Sequence, residues 1–299
     1  MKQFLESNVA FDEGGTSYVY RVKSHLPNPK YLCLKVLKNY IRKKADSDDD
    51  DDDESGNEEK SDKKEEEPEI NMELARSILK EYEILNNLNH PNIIKIYGFY
   101  FGDMKYGPAI LLEYCSKNLL KAIKKMNKID LISVIFQICS VMKYIHEKGI
   151  IHRDIKMQNI LINLKCQVKI CDFGIAKILD STQESSSTSF KGTRQFMAPE
   201  FFQPRIFITN KVDVYAFGVV MFFILTNGCM PQYTGLLSYK GLQFPNSINK
   251  LSRTIIESCL SQQPEERPSF HDICKIITDN HFKLIDGIDD DIANYEILF

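Results

Sequence analysis

The stretch His152-Arg-Asp-Ile-Lys-Met-Gln-Asn159, followed by Asp172-Phe-Gly174, carries most of the information about this fold. Between the two runs lie Ile160-Leu-Ile162 and Val168-Lys-Ile170, whose apolar and β-branched residues predict two short strands. Because a hairpin returns the chain to the place where it began, the polar residues of both runs are expected to converge.

These polar residues suit metal and phosphate chemistry. Asn159 and Asp172 offer hard oxygen ligands of the kind that Mg²⁺ prefers. Asp154 can accept a proton from an incoming hydroxyl, and Lys156 presents a point charge to a transferring phosphate. Phosphoryl transfer is one interpretation, and a metal-dependent hydrolase built from the same acids is another.

Strand patterns dominate the first third of the chain, and helical patterns dominate the rest. Leu74 to Leu85 has apolar residues at spacings of three and four, which predicts an amphipathic helix that ends at His90-Pro-Asn92. Strands are predicted at 19–22, 31–37, 93–100 and 109–114, and further helices at about 130–148, 211–226, 248–260 and 269–282. This order indicates an α+β protein with two lobes.

Charge is distributed unevenly along the 299 residues. The segment 46–69 contains 15 acidic and 3 basic side chains, a local net charge of −12. We expect it to be disordered, because like charges repel and little can be buried. The alternative is that this acidic segment binds a basic partner. The remaining chain has a net charge of +9, which suits phosphate-rich ligands or acidic partners.

The eight cysteines form no Cys-x-x-Cys pair and have apolar neighbours, which favours reduced thiols and a cytoplasmic location. Met1-Lys-Gln-Phe-Leu-Glu6 lacks the apolar core of a signal peptide. The longest apolar run, Val214 to Leu225, is shorter than the roughly 20 residues of a membrane span. The sequence therefore predicts neither a membrane nor a nucleic-acid partner.

Taken together, these motifs resemble those of the eukaryotic protein kinase superfamily over roughly residues 8 to 283. The resemblance implies one kinase domain over 1–299, with a small β-rich N-lobe that contains one helix and a larger helical C-lobe. The N-lobe would span 8–114 with the acidic insert at 46–69, the C-lobe 115–283, and a tail 284–299.

The resemblance also assigns roles to individual residues. Asp154 and Lys156 would be catalytic, and Lys35 in Leu32-Cys-Leu-Lys35 would contact the α- and β-phosphates while pairing with Glu81. Asn159 and Asp172 would hold Mg²⁺. The expected ATP-binding residues are Gly14, Gly15, Val19, Cys33, Lys35, Leu112, Glu113, Cys115, Leu161 and Asp172.

Two features resemble kinases that phosphorylate serine and threonine. One is Lys156 within the catalytic loop, and the other is Gly192-Thr193, whose threonine would bond the catalytic Asp and Lys. The motif Phe196-Met-Ala-Pro-Glu200 is similar to the corresponding motif of the tyrosine-kinase-like branch, whose members mostly phosphorylate serine and threonine. A signalling protein kinase with a protein substrate is the function implied.

The glycine-rich loop departs from the family pattern. Asp12 and Ser17 stand where two of its three glycines are expected, and only Gly14 is kept. Side chains at these positions restrict the approach of the backbone to phosphates. A pseudokinase scaffold with weakened nucleotide binding is therefore the alternative function.

Overall fold

The computed structural model describes residues 12–13, 17–24, 29–37, 41–42, 69–70, 72–102, 107–163, 165–178, 193–203, 208–232, 242–246, 248–280 and 282–286. The chain divides into two compact units. The first comprises Met1–Leu79 and Tyr97–Leu112, and the second comprises Lys80–Ile96 and Glu113–Phe299.

The first unit is built on a sheet. Its strands are β1 (Asp12–Glu13), β2 (Ser17–Lys23), β3 (Tyr31–Leu37), β4 (Ile41–Arg42), β5 (Glu69–Ile70), β6 (Ile96–Tyr100) and β7 (Ala109–Glu113). Five of them form one sheet in the order β1-β2-β3-β7-β6. Strands β2 and β3 are antiparallel from Ser17↔Leu37 to Lys23↔Tyr31. Leu32 and Val36 are buried on one face, as alternation along a half-buried strand requires.

Two short strands before and after positions 43–68 pair with each other. Strands β4 and β5 pair antiparallel, with Ile41 opposite Ile70 and Arg42 opposite Glu69. Glu69, which the sequence assigns to the acidic insert, therefore lies in a strand, while residues 46–68 lie outside the described part of the chain. Arg42 and Glu69, the described residues on either side of positions 43–68, therefore lie next to each other.

Helix α1 (Met72–Asn87) follows the predicted amphipathic pattern, with Ile78, Ile84 and Leu85 buried. The strand expected from Ile93 begins only at Ile96. Ile93 instead makes an isolated parallel bridge to Ile170. The residues around Ile93 in the sequence have the composition of a strand, but the backbone of Ile93 pairs with Ile170, far away in the sequence.

The second unit contains two small sheets. Its strands are β8 (Lys117–Asn118), β9 (Ile150–Ile151), β10 (Ile160–Ile162), β11 (Val168–Ile170) and β12 (Lys177–Ile178). They form a sheet in the order β11-β10-β8 and a β12-β9 pair. The predicted hairpin is confirmed, with Ile160 opposite Ile170.

Helices are the other regular elements in the described part of the second unit. They are α2 (Leu119–Ala122), α3 (Lys128–Glu147), α4 (Lys211–Leu225), α5 (Lys250–Cys259) and α6 (Phe270–Asp279), with 3-10 turns at Ile123–Lys125, Met157–Asn159, Arg194–Phe196, Pro199–Phe202 and Pro264–Glu266. Asn127 and Asp130 form a capping box at the start of α3. Helices α4 and α5 approach closely at Gly218, where a Cβ atom would lie 2.8 Å from Cys259 Cβ. The predicted α+β architecture, strand-rich first and helix-rich later, is confirmed.

The last helix is shorter than the predicted 269–282. It ends at Asp279, after which Phe282 adopts a φ of 56° and donates its N–H to the Ile277 carbonyl. The chain then returns over the helices, where Leu284 is fully buried and its carbonyl accepts from Ser252 Oγ at 2.6 Å. The ordered second unit thus reaches past position 283, and Leu284 belongs to its core.

In the described part of the chain, α3 (Lys128–Glu147) is the one helix long and apolar enough to span a membrane. Its apolar residues are mostly buried inside the unit, as in the core helix of a soluble domain.

Candidate active site

The catalytic-loop candidate is anchored to Asp213 in the first turn of α4. The backbone N–H groups of His152 and Arg153 each donate to its carboxylate at 2.8 Å. Arg153 has a φ of 68°, a conformation that L-residues adopt at a cost. The buried carboxylate therefore fixes a strained turn directly before Asp154.

A third bond completes the environment of Asp213, since His146 Nε2 lies 2.9 Å from Oδ2. Burial alone would raise the pKa of Asp213, but the hydrogen bond from His146 and the Arg153 N–H hold that pKa below its ordinary value. The carboxylate is thus an acceptor for all three groups.

His152 joins the loop to the segment that carries Asp172. Its Nδ1 accepts the Asp154 N–H at 3.3 Å, so Nε2 carries the proton and donates to the Cys171 carbonyl at 3.1 Å. The His152 ring also packs against Phe173, with centroids 4.7 Å apart. One fully buried imidazole therefore sets the spacing between the two polar runs.

Asp154, Lys156 and Asn159 form a hydrogen-bonded cluster. Lys156 Nζ donates to Asp154 Oδ2 at 2.6 Å, and Asn159 Nδ2 donates to the same oxygen at 2.8 Å. Lys156 also donates to Thr193 Oγ1 at 3.0 Å, the contact that the family resemblance predicts. Among described residues both side-chain bonds reach Oδ2, which leaves Oδ1 of Asp154 available to a substrate.

The chemistry of the donor atoms here fits a magnesium ion. Because Asn159 uses its amide nitrogen to bond Asp154, its Oδ1 is an oxygen ligand of fixed orientation. Cys171 N donates to the Asn159 carbonyl at 3.1 Å, which brings the following residue, Asp172, beside the loop. Asp172 has a φ of 67°, a second strained position at this site.

A small pocket opens beside Asp154. Its walls are Arg153, Asp154, Ile155, Thr193, Phe196, Met197, Phe201, Val212 and Ala216. Burial lowers the pKa of the Arg153 guanidinium, and the nearby Asp213 opposes that shift. A half-buried cation next to Asp154 favours negatively charged groups in its surroundings.

Glu200 and Arg267 form an ion pair. The guanidinium holds both carboxylate oxygens at 2.8 Å, and both side chains are buried. Arg267 also donates to the carbonyls of Ser261 and Lys211, and its guanidinium stacks 5.0 Å from the Tyr215 ring centroid. This fork ties the Pro199–Phe202 turn to the helices that follow.

Three expected nucleotide contacts share one face of the first unit's sheet. Val19 is directly opposite Lys35 across the β2–β3 pair, and Cys33 lies two residues before Lys35 on the same face. Gly14 and Gly15 lie outside the described residues.

The other predicted residues lie on α1, at the end of β7 and on β10. Glu81 is 2% exposed on α1, and its pairing with Lys35 stays a prediction. Leu112 and Cys115 are buried near the end of β7, where Glu113 bonds Lys169 Nζ at 2.9 Å. Leu161 lies on β10 opposite Lys169 and Asn118.

Sequence reasoning missed the roles of His146 and His152. His146 is a polar residue in the last turn of the otherwise apolar helix α3, six residues before His152. A histidine at the buried end of a core helix is a signal that it has a polar partner, but its spacing does not name Asp213.

The comparisons agree with this geometry. Residues 13–277 match the model of the protein kinase domain. The chain is similar to the serine/threonine-protein kinase CTR1 of Arabidopsis thaliana, with 30% identity over 71% of this chain and 27% of that protein.

Two further relatives come from animals. The mitogen-activated protein kinase kinase kinase dlk-1 of Caenorhabditis elegans is 37% identical over 65% of this chain and 22% of its own length. The serine/threonine-protein kinase PLK2 of Mus musculus is 34% identical over 66% of this chain and 30% of its own length. The chain thus spans less than a third of each relative. It belongs to the protein kinase family, alongside relatives that are named as serine/threonine kinases.

Proposed function

We propose that this chain transfers the γ-phosphoryl group of ATP to serine or threonine hydroxyls of protein substrates, as part of a signalling pathway. The observation that carries the proposal is the state of Asp154. Its Oδ2 is occupied by Lys156 and Asn159, while Oδ1 has no side-chain partner among described residues. A substrate hydroxyl that donates to Oδ1 would be oriented for attack.

The surrounding side chains complete the chemistry. Lys156 places its ammonium between Asp154 and Thr193, where it would also stabilise charge on the transferring phosphate. Lys35 would contact the α- and β-phosphates. Mg²⁺, when held by Asn159 and Asp172, would supply neutralisation of phosphate charge. Preference for serine and threonine is supported by the Lys156–Thr193 contact, which the resemblance associates with such kinases.

Transfer of labelled phosphate from Mg-ATP to a generic serine peptide tests the proposal. Asp154→Asn and Lys35→Met should each lower the initial rate by about 10²- to 10³-fold without changing the melting temperature, because each removes a contact made to reacting groups. Asp279→Asn, on the exposed end of α6, is the matched control and should retain full activity. If both active-site variants kept more than about a tenth of the wild-type rate, the assignment would be wrong.

A pseudokinase scaffold is the second candidate. It is favoured by Ser17, which is 4% exposed on β2 where the family pattern has glycine. A scaffold would show no Asp154-dependent transfer to any peptide and weak binding of Mg-ATP. Titration of a fluorescent ATP analogue against the wild type and Ser17→Gly separates the two candidates.

We also propose a cytoplasmic location. All eight cysteines lie in described residues and all are free thiols, which fits a reducing compartment. Fractionation of cells that express a tagged chain tests the location, and recovery in a secreted or membrane fraction would contradict it.

A further inference from the structure

A run of lysines lies beside the candidate active site and is not used by the proposed mechanism. Residues 114–129 contain no carboxylate, and Lys117, Lys121, Lys124 and Lys125 in this stretch are all exposed. None of these four side chains forms an ion pair with any residue that the structure describes. We call these four lysines the lysine patch.

Local structure keeps the lysine patch in solvent. Leu119, Ala122 and Ile123 are buried, so helix α2 and the 3-10 turn after it turn their apolar face inward. Asn118 caps this helix by accepting the Lys121 N–H at 3.1 Å. Lys128 differs from the patch because its Nζ donates to the Asp286 carbonyl at 2.8 Å. The four cations are therefore held near one another without internal neutralisation.

The patch adjoins the catalytic loop through backbone pairing. Asn118 is opposite Leu161 and Lys117 is opposite Ile162 in the β8–β10 pair. Strand β10 begins directly after Asn159, and helix α2 contacts the Met157–Asn159 turn. A protein segment whose hydroxyl reaches Asp154 would thus pass close to a cluster of positive charge.

We propose that the lysine patch binds acidic side chains flanking the phosphorylated residue, so that this kinase prefers acidic protein substrates. The inference rests on the proposed function and specifies its substrate class. The four ammonium groups have no ion-pair partner in the described part of the chain, so bringing carboxylates to them relieves their mutual repulsion, and complementary charge also accelerates encounter. We favour an acidic protein segment over RNA or anionic lipid because strand β8 joins the patch to β10, which follows the loop where a protein hydroxyl would reach Asp154.

Three peptides with one serine test this preference, identical except that the four flanking positions are Glu, Gln or Lys. The wild type should show a kcat/KM for the Glu peptide about fivefold above that for the Gln peptide, mainly through KM, because each exposed ion pair contributes little by itself. The preference should shrink as ionic strength rises. The variant Lys121→Glu/Lys124→Glu should lower kcat/KM for the Glu peptide about tenfold and change the Gln peptide by less than about twofold.

The matched control is Lys250→Glu/Lys275→Glu, which changes net charge equally on exposed positions of α5 and α6 and should keep the preference. Equal rates with the Glu and Gln peptides in the wild type, or an undiminished preference in the patch variant, would overturn the proposal. The proposal would also be overturned if the patch variant lost binding to RNA or vesicles but kept the wild-type preference for the Glu peptide.

Phosphorylation of the Gln peptide reports separately on the proposed function. Binding of fluorescein-labelled Glu and Gln peptides, measured by anisotropy, tests the patch without requiring catalysis. Tighter binding of the Glu peptide that is lost in the patch variant supports the surface even if no peptide is phosphorylated, and equal affinities would contradict it.

Discussion

Asp213 and Glu200 are both buried carboxylates of the second unit, at 1% and 4% exposure, but their charges are compensated differently. Asp213 accepts two backbone N–H groups from the turn before Asp154, together with His146. Glu200 accepts both ends of one guanidinium, that of Arg267. A carboxylate bound to backbone fixes local chain geometry, whereas one bound to a distant side chain cross-links segments. The first should therefore govern activity and the second stability.

Arg267→Ala should produce the largest loss of stability. It leaves Glu200 buried without its partner and removes the bonds to the Ser261 and Lys211 carbonyls, which should lower the free energy of unfolding by about 3–5 kcal/mol. Urea denaturation measures the change. The double variant Glu200→Leu/Arg267→Met should recover much of the loss, because it leaves no buried charge. A loss below about 1 kcal/mol for the single variant would contradict a cross-linking role.

Asp213→Asn should lower stability less than Arg267→Ala does, but it should lower kcat strongly. An amide nitrogen facing the loop N–H groups weakens their bonds, at a cost of about 1.5–3 kcal/mol. The strained turn at Arg153 would then relax and displace Asp154, and a displacement of about 1 Å can lower kcat about 100-fold.

Asp272→Asn is the control for this variant, since Asp272 also lies in the first turn of a helix but, among the residues that the structure describes, its carboxylate bonds only Ser269. It should lose about 1 kcal/mol of stability with kcat unchanged. Equal effects of the two variants on kcat would contradict a specific role of Asp213 in holding the turn before Asp154.

The contribution of Asp213 to stability should also depend on pH. Its pKa is lowered in the folded state, so the ionised form is favoured by folding. That stabilisation is complete above the unfolded carboxyl value of about 3.9 and is lost as pH falls through the lower folded value. The difference in unfolding free energy between the wild type and Asp213→Asn should therefore be constant above about pH 5 and shrink as the pH falls below about 4.

Deletion of Asp46–Glu67 should have the smallest effect, although it removes more carboxylates than any other change. The sequence predicts a segment that buries little, and strands β4 and β5, which lie before and after it in the chain, pair with each other. A shorter connection costs little closure entropy, so kcat should stay within about twofold and stability within about 0.5 kcal/mol. A collapse of either quantity would give this segment a structural or regulatory role.

Regular elements with strong local patterns were predictable from the sequence. The hairpin at 160–162 and 168–170, strand β3 and helix α4 lie where alternation and apolar periodicity indicate. Boundaries were less predictable when a distant residue decides them. Ile93 has the composition of a strand but bridges Ile170, and the last helix ends early because Phe282 turns back to Ile277.

The sequence by itself determined which side chains meet: Asp154, Lys156 and Asn159 share one loop, and the hairpin returns Asp172 to it. Only the tertiary structure decided that Asp213 anchors the strained turn and that Oδ1 of Asp154 stays open. It also placed the lysine patch beside the catalytic loop through the β8–β10 pair. Spacing along a chain limits which residues can approach, but hydrogen bonds depend on atomic positions set by packing between distant elements.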